Sequence, residues 1–159
     1  MTTQQPVQVK NEQGDIYFGI VVNGKPHGQG TLESKDGNVY EGMFEEGKRH
    51  GQGKMTMANG YVYEGKWKEG IPSGAGREVN AQGDTYEGEF LQGKKNGSGK
   101  LVKKSGVIYD GNWIEGQPHG YMKVEQENGI RFEGCYDHGL QHGAGKMTFP
   151  DGSFFQGNF

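Results

Sequence analysis

Four of the five histidines, His27, His50, His119 and His142, stand at multiples of 23 residues from one another. Imidazoles on a regular ladder are what a zinc ion would select. If the period is one β-hairpin, equivalent residues lie two strands apart, about 9–10 Å. Two imidazoles on one zinc need bonds of only about 2.0–2.1 Å. Neighbouring rungs therefore cannot share an ion, and the expectation is no metal and no cofactor. These histidines should pack or hydrogen-bond at strand starts, with a bridge between two molecules as the remaining route to a metal. Glu41, Glu64, Glu87, Asp110 and Glu133 share the period. A glycosidase needs two carboxyls about 5–10 Å apart with separated pKa values. Repetition would then make every unit an active site, so the stripe reads as a solvated acidic face. Lys54, Arg77, Lys100, Lys123 and Lys146 form a matching basic stripe. It could meet anionic phosphoinositide headgroups, at about 1 kcal/mol per cation. The competing reading is cross-strand pairing with the acidic stripe. No Cys–His dyad or serine elbow stands in a recognisable context, and the Gly-x-Gly motifs lack the strand-to-helix setting of a dinucleotide site. No catalytic residue and no enzyme activity are expected.

The period that spaces these groups organises the whole chain. Tyr17, Tyr40, Tyr63, Tyr86, Tyr109, Phe132 and Phe155 recur every 23 residues without insertion. Taking that aromatic as position 0, glycines recur at positions 2, 7, 11, 13 and 20. The one exception is Met122 at position 13. A flexible linker would scatter its glycines, so these are structural punctuation in a repeat array.

Each repeat has the period-2 signature of two strands. Positions 0 to 4 make the first and about 10 to 16 the second, with Asn23-Gly24 or its equivalents between them. Asp36-Gly37, Asn59-Gly60 and their equivalents link one repeat to the next. Asn-Gly and Asp-Gly favour type I′ turns, which need positive φ at both central residues. A helical repeat fails, because glycine costs a helix about 1 kcal/mol per residue. The third repeat has Glu78 at position 15, where the others are apolar, and Val79 one place later. A local distortion is expected there.

The predicted fold is all-β: an elongated single-layer antiparallel meander of about 14 strands. Residues 1–6 form a disordered tail and 7–16 an N-terminal half-repeat. Residues 17–154 hold six full repeats and 155–159 a C-terminal half-repeat. A one-layer sheet must build its core from rings laid over glycine backbone. Tyr40, Phe44, Tyr63, Trp67, Tyr86, Phe90, Tyr109, Trp113 and Tyr136 form that strip. One covered side leaves part of it exposed, as a groove for a helix or extended segment of a partner protein. Trp67 and Trp113 are the expected anchors.

A length of 159 residues suggests one domain, and a net charge of −3 offers no general attraction to nucleic acid. Cys135 is the only cysteine, so no intrachain disulfide forms. The N-terminus lacks a secretion signal, and no apolar run approaches the roughly 18 residues of a membrane span. A cytoplasmic location is expected.

Tyr40-Glu41-Gly42-Met43-Phe44 with His50-Gly51-Gln52-Gly53 carries the pattern best. Six consecutive copies resemble the MORN repeat (membrane occupation and recognition nexus), over nearly the whole chain. Departures are Phe18 and Val21, Ser73 and Asn96 in place of histidine, and Met122 for glycine. The resemblance implies a twisted, grooved β-sheet with scaffold and partner-binding roles in cytoskeletal, ciliary or membrane-junction assemblies. The leading expectation is a non-catalytic scaffold binding a protein segment along the aromatic groove. The alternatives are a peripheral membrane protein using the lysine-rich face, or a regulatory fragment of a larger enzyme, a lipid kinase or SET methyltransferase. A homodimer through the terminal strands is a further geometric option.

Overall fold

The computed structural model describes residues 5–159, and all regular structure in them is β-strand. No helix there is long and apolar enough to cross a membrane. Residues 1–4 of the expected tail lie outside the described residues, and Gln5 and Pro6 precede the first strand.

The chain divides into two compact units, the first ending at Ala81 and the second running Gln82–Phe159. Length suggested one domain. In an array each hairpin touches mainly its neighbours, so contacts gather locally. The first unit holds β1 (Val7–Lys10), β2 (Ile16–Val22), β3 (Lys25–Glu33), β4 (Val39–Glu45), β5 (Lys48–Thr56), β6 (Val62–Lys68) and β7 (Ile71–Val79). Each strand pairs antiparallel with the next. The second holds β8 (Thr85–Leu91), β9 (Lys94–Val102), β10 (Ile108–Ile114), β11 (Gln117–Glu125), β12 (Arg131–Asp137), β13 (Leu140–Thr148) and β14 (Phe154–Asn158), again paired in order. Each unit is a one-layer meander, as the pattern predicted.

The linking turns, where type I′ geometry was expected, do not have it. Type I′ geometry falls inside the repeat, where Glu46 (φ 50°) and Gly47 (φ 83°) both have positive φ, as do Glu69 with Gly70 and Glu115 with Gly116. A glutamate there is strained. The turn is held from outside by the preceding hairpin: the Gly47 and Gly70 N–H groups donate to the Pro26 and Arg49 carbonyls, both at 2.9 Å. In the linking turns only the glycine has positive φ, as at Gly37 (82°) and Gly60 (89°). There Gly37 N–H bonds Ser34 O at 2.9 Å and Ser34 N–H bonds Asn38 O at 2.8 Å. This is a type I turn closed by a left-handed glycine, one of the longer hairpin loops.

The core is the ring strip. Tyr40, Tyr63 and Tyr86 are wholly buried. Each lies along its own hairpin, and its hydroxyl donates to the carbonyl three residues on: Tyr40 to Met43 at 2.9 Å, Tyr63 to Lys66 at 2.9 Å, Tyr86 to Glu89 at 3.2 Å. That path crosses the position-13 glycine of the paired strand. A Cβ on Gly53 would lie 2.2 Å from Tyr40 Oη, and one on Gly99 would lie 2.1 Å from Tyr86 Oη. Glycine is required here by space rather than by φ. Between Gly42 and Phe44 the register against β5 shifts, and Gly51 (φ 62°) takes up the extra residues. The third repeat keeps regular pairing, contrary to the expected distortion: Glu78 sits opposite Tyr63, and its carboxylate accepts a bond from the Tyr61 hydroxyl at 3.2 Å. The polar group is tolerated because it has a partner.

Gly53→Ala should lower unfolding stability by about 1–3 kcal/mol in urea, the usual cost of overpacking. A loss below about 0.5 kcal/mol would contradict the space argument. Burial pushes the Tyr40 hydroxyl up to about 12, partly offset by the Arg49 charge; burial, with the Glu78 carboxylate adding, does the same at Tyr63. The folded chain keeps protons that the unfolded chain releases near the ordinary value of about 10. Stability should therefore be intact below about pH 10 and fall as pH rises through about 12. Tyrosinate absorbance and strand circular dichroism should change together. Ionisation of every tyrosine near pH 10 without loss of strand signal would oppose this.

Candidate functional site

Of the nine ring-strip residues, Tyr109 is half-buried and the other eight are buried. In the first unit the rings form an edge-to-face zigzag. Centroid separations are 5.3 Å for Tyr17–Phe44, 5.1 Å for Phe44–Tyr40, 5.2 Å for Tyr40–Trp67 and 5.1 Å for Trp67–Tyr63. Each such contact contributes about 0.5–1.5 kcal/mol beyond burial. Trp67 is only 5% and Trp113 only 2% exposed. Their Nε1–H groups donate to Gly53 O at 3.0 Å and Gly99 O at 2.9 Å. The two tryptophans expected as anchors are core residues, because rings stacked edge-on cover one another even in a single layer.

What remains accessible lies above the rings. In the first unit the Arg49 guanidinium lies 4.7 Å from the Trp67 ring centroid and 5.8 Å from that of Tyr40, and bonds Gly70 O at 3.0 Å. Burial lowers its pKa, with the nearby Tyr40 acting the other way. Arg49, Leu32, Asn38, Phe44, Met55 and Met57 line a shallow cleft of about 490 Å³. Nothing in the periodic pattern singled out Arg49, since position 9 varies from repeat to repeat.

In the second unit the zigzag is interrupted. Phe90, Tyr86 and Trp113 pack at 5.2 and 5.4 Å, nearly perpendicular. Tyr109 stands 6.4 Å from Trp113 at 64°. Met122 is the cause. It occupies the position filled by glycine in the other full repeats, and it is 0% exposed. Its Sδ lies 2.8 Å from the point a Cβ on the facing Gly111 would occupy. The slot that receives the tyrosine hydroxyl in other repeats is therefore filled by thioether. Tyr109 is displaced outward. The zigzag resumes with Tyr136–Phe132 at 5.5 Å and Phe132–Phe159 at 4.9 Å. Tyr109 and Tyr136 line a cleft of about 460 Å³ with Val107, Val124, Gln126 and Gln141. Burial raises the Tyr136 pKa, against a hydrogen bond with Gln141. The sequence carried this signal in Met122, but only packing shows its effect on the neighbouring ring.

On the opposite face the charged stripes interleave. Lys54 sits across from Glu41 and Glu64, Lys100 from Glu87 and Asp110, Lys123 from Asp110 and Glu133, and Lys146 from Glu133. Arg77 faces Glu64. Lys123 Nζ lies 3.4 Å from Glu133 Oε1. Every cation of the candidate lipid-binding stripe thus has a carboxylate beside it. His50 Nδ1 lies 3.3 Å from Glu45 Oε2. His119 has two close neighbours, Asp137 at 3.3 Å and the turn residue His138, whose ring centroid is 5.0 Å away. The ladder argument missed His138 because it stands at position 6, outside the histidine register.

The MORN repeat family matches residues 17–39, 40–60, 63–85, 86–107, 109–121 and 132–154, most of the chain. No curated protein matches it. Among solved structures, the chain is similar to the TCP domain of SAS-4 (dCPAP) of Drosophila melanogaster, in complex with a proline-rich motif of Ana2 (dSTIL). Identity is 12%, coverage is 97% of this chain and 90% of that one, and the TM-score is 0.55. It is also similar to the wild-type TCP10 domain of Danio rerio CPAP in complex with a peptide of STIL, at 12% identity, 98% and 75% coverage and a TM-score of 0.51. At this identity the likeness is one of fold.

Met122→Gly should reopen the slot, let the Tyr109 hydroxyl bond the Asn112 carbonyl and close the cleft. Its cost should fall short of the roughly 2–5 kcal/mol of an ordinary core methionine truncation, because the tyrosine refills the space. Nitration of Tyr109 by tetranitromethane should slow. Unchanged nitration together with the full cost would refute the displacement.

Proposed function

The chain belongs to the MORN-repeat family, and from that premise we propose that it is a non-catalytic scaffold holding an extended segment of a partner protein on its ring-bearing face. The observation that carries the proposal is the cleft beside Tyr109 and Tyr136. Elsewhere the rings satisfy one another. Here the half-buried Tyr109 presents an apolar face with a polar tip, beside the edge of Tyr136, Val124 and the amide of Gln141. Extended segments, proline-rich ones in particular, dock on aromatic-lined grooves because they are already ordered and their carbonyls are free to accept bonds. The domains of similar fold from Drosophila and Danio were solved with a proline-rich motif and with a peptide. That analogy supports the class of partner and says nothing of its identity.

In this reading Tyr109 makes direct contact, and the largely buried Tyr136 forms the wall of the cleft beside it. Tyr40, Phe44, Tyr63, Trp67, Tyr86, Phe90 and Trp113 form the floor that keeps the face rigid. The assembly served is cytoskeletal or ciliary. The phosphoinositide reading gains no comparable support, since acids alternate with the cations of its stripe.

A library of proline-rich and scrambled peptides should enrich proline-rich binders on the full chain. Tyr109→Ala should weaken the best of them by about tenfold or more, as loss of an aromatic hot spot does. Met122→Gly should weaken them too, by closing the cleft. Equal binding by all three proteins would end the proposal. Salt-sensitive sedimentation with phosphoinositide vesicles, without peptide binding, would favour the lipid reading instead.

A further inference from the structure

We propose that His119, Asp137 and His138 form a binding site for a divalent transition-metal ion, with zinc the best fit. His119 is on β11, Asp137 ends β12, and His138 opens the tight turn into β13 with φ 45°. Two separate stretches of backbone, β11 and the end of β12 running into the turn, thus meet at one point. One potential ligand atom from each residue lies within 4.8 Å of the other two. Asp137 Oδ1 is 3.3 Å from His119 Nδ1 and 2.5 Å from His138 Nδ1. Ligands in a tetrahedral zinc site stand about 3.4 Å apart, given bonds of about 2.0–2.1 Å. The present separations, from 2.5 Å to within 4.8 Å, span that spacing.

A second observation points the same way. Among the described residues, His119 Nδ1 is the one buried side-chain nitrogen or oxygen without a hydrogen-bond partner. It touches Asp137 as an ion-pair neighbour but makes no bond of proper geometry. A buried nitrogen without a partner is costly, and a metal would satisfy its lone pair. The donor set selects the ion. Calcium and magnesium prefer all-oxygen shells, whereas imidazole with carboxylate suits zinc, copper, nickel or cobalt. Three protein ligands leave a fourth position for water.

Among the described residues the cluster occurs once. The residue matching His138 is Asn23, Glu46, Glu69, Gln92 or Glu115 in the other repeats. This differs from the histidine ladder, whose rungs are too far apart. The ion would join the strand of one repeat to the turn of the next, so that binding stabilises the folded state by an amount that grows with the logarithm of metal concentration above Kd. The proposal is independent of the protein-binding reading.

The test is calorimetric titration of the full chain with zinc sulfate, with cobalt absorption as a second readout. One ion per chain is expected, with a zinc-dependent rise in Tm. His119→Ala, Asp137→Ala and His138→Asn should each weaken zinc by roughly tenfold or more, since even loss of an outer-shell partner costs about 10–100-fold. Asparagine at 138 keeps a residue suited to positive φ, so a lost site there is not a lost turn. His142→Ala and Cys135→Ser should bind as the parent does, and magnesium should not compete. Affinity weaker than about 1 mM, binding indifferent to the three substitutions, or binding that requires His142 or Cys135 would each overturn the assignment.

Discussion

A tyrosine ring lying across glycine backbone is the contact on which this structure depends. The hydroxyl of Tyr40 reaches the Met43 carbonyl only because Gly53 has no side chain in its path. The same arrangement recurs at Tyr63 over Gly76 and at Tyr86 over Gly99. A single-layer sheet has no second sheet or helix to bury against. Rings lying flat on one hairpin and edge-on to rings of the next supply the missing layer. Glycine weakens a strand by its entropy. Here the lost side-chain packing is replaced by a much larger aromatic surface.

The other features follow from placing that contact every 23 residues. The bulge at Gly51 allows position 13 to meet position 2 while Arg49 still faces Phe44. The glutamates in the tight turns accept a left-handed backbone because the next amide is anchored to the preceding hairpin. On the far face the same register sets carboxylate against ammonium across successive strands, giving a mixed surface instead of a basic one.

Where the pattern is broken, the surface acquires individuality. Met122 fills one glycine slot, and the neighbouring tyrosine becomes accessible beside a cleft. His138 replaces an amide or carboxylate in one turn and comes close to His119 and Asp137. Regular positions build the scaffold, and exceptions to the regularity distinguish one part of it from another. Glu78 is the counterexample. It departs from the apolar pattern, yet its carboxylate finds the Tyr61 hydroxyl and the strand pairing is unchanged.

Period, strand count and face assignment were legible in the sequence because they depend on local rules: alternation along a strand and glycine at turns. Family membership was legible for the same reason. Which turn takes the type I′ form was not, since the Gly47 anchor comes from Pro26, a residue of the preceding hairpin. The burial of Trp67 and Trp113 was likewise hidden, because each is covered by the tyrosine of the preceding hairpin, Tyr40 and Tyr86. The cleft required knowing that the Met122 thioether and the Tyr109 hydroxyl compete for one space. Sequence sets which side of the sheet a residue occupies; contacts between neighbouring hairpins decide whether it is covered, and by what.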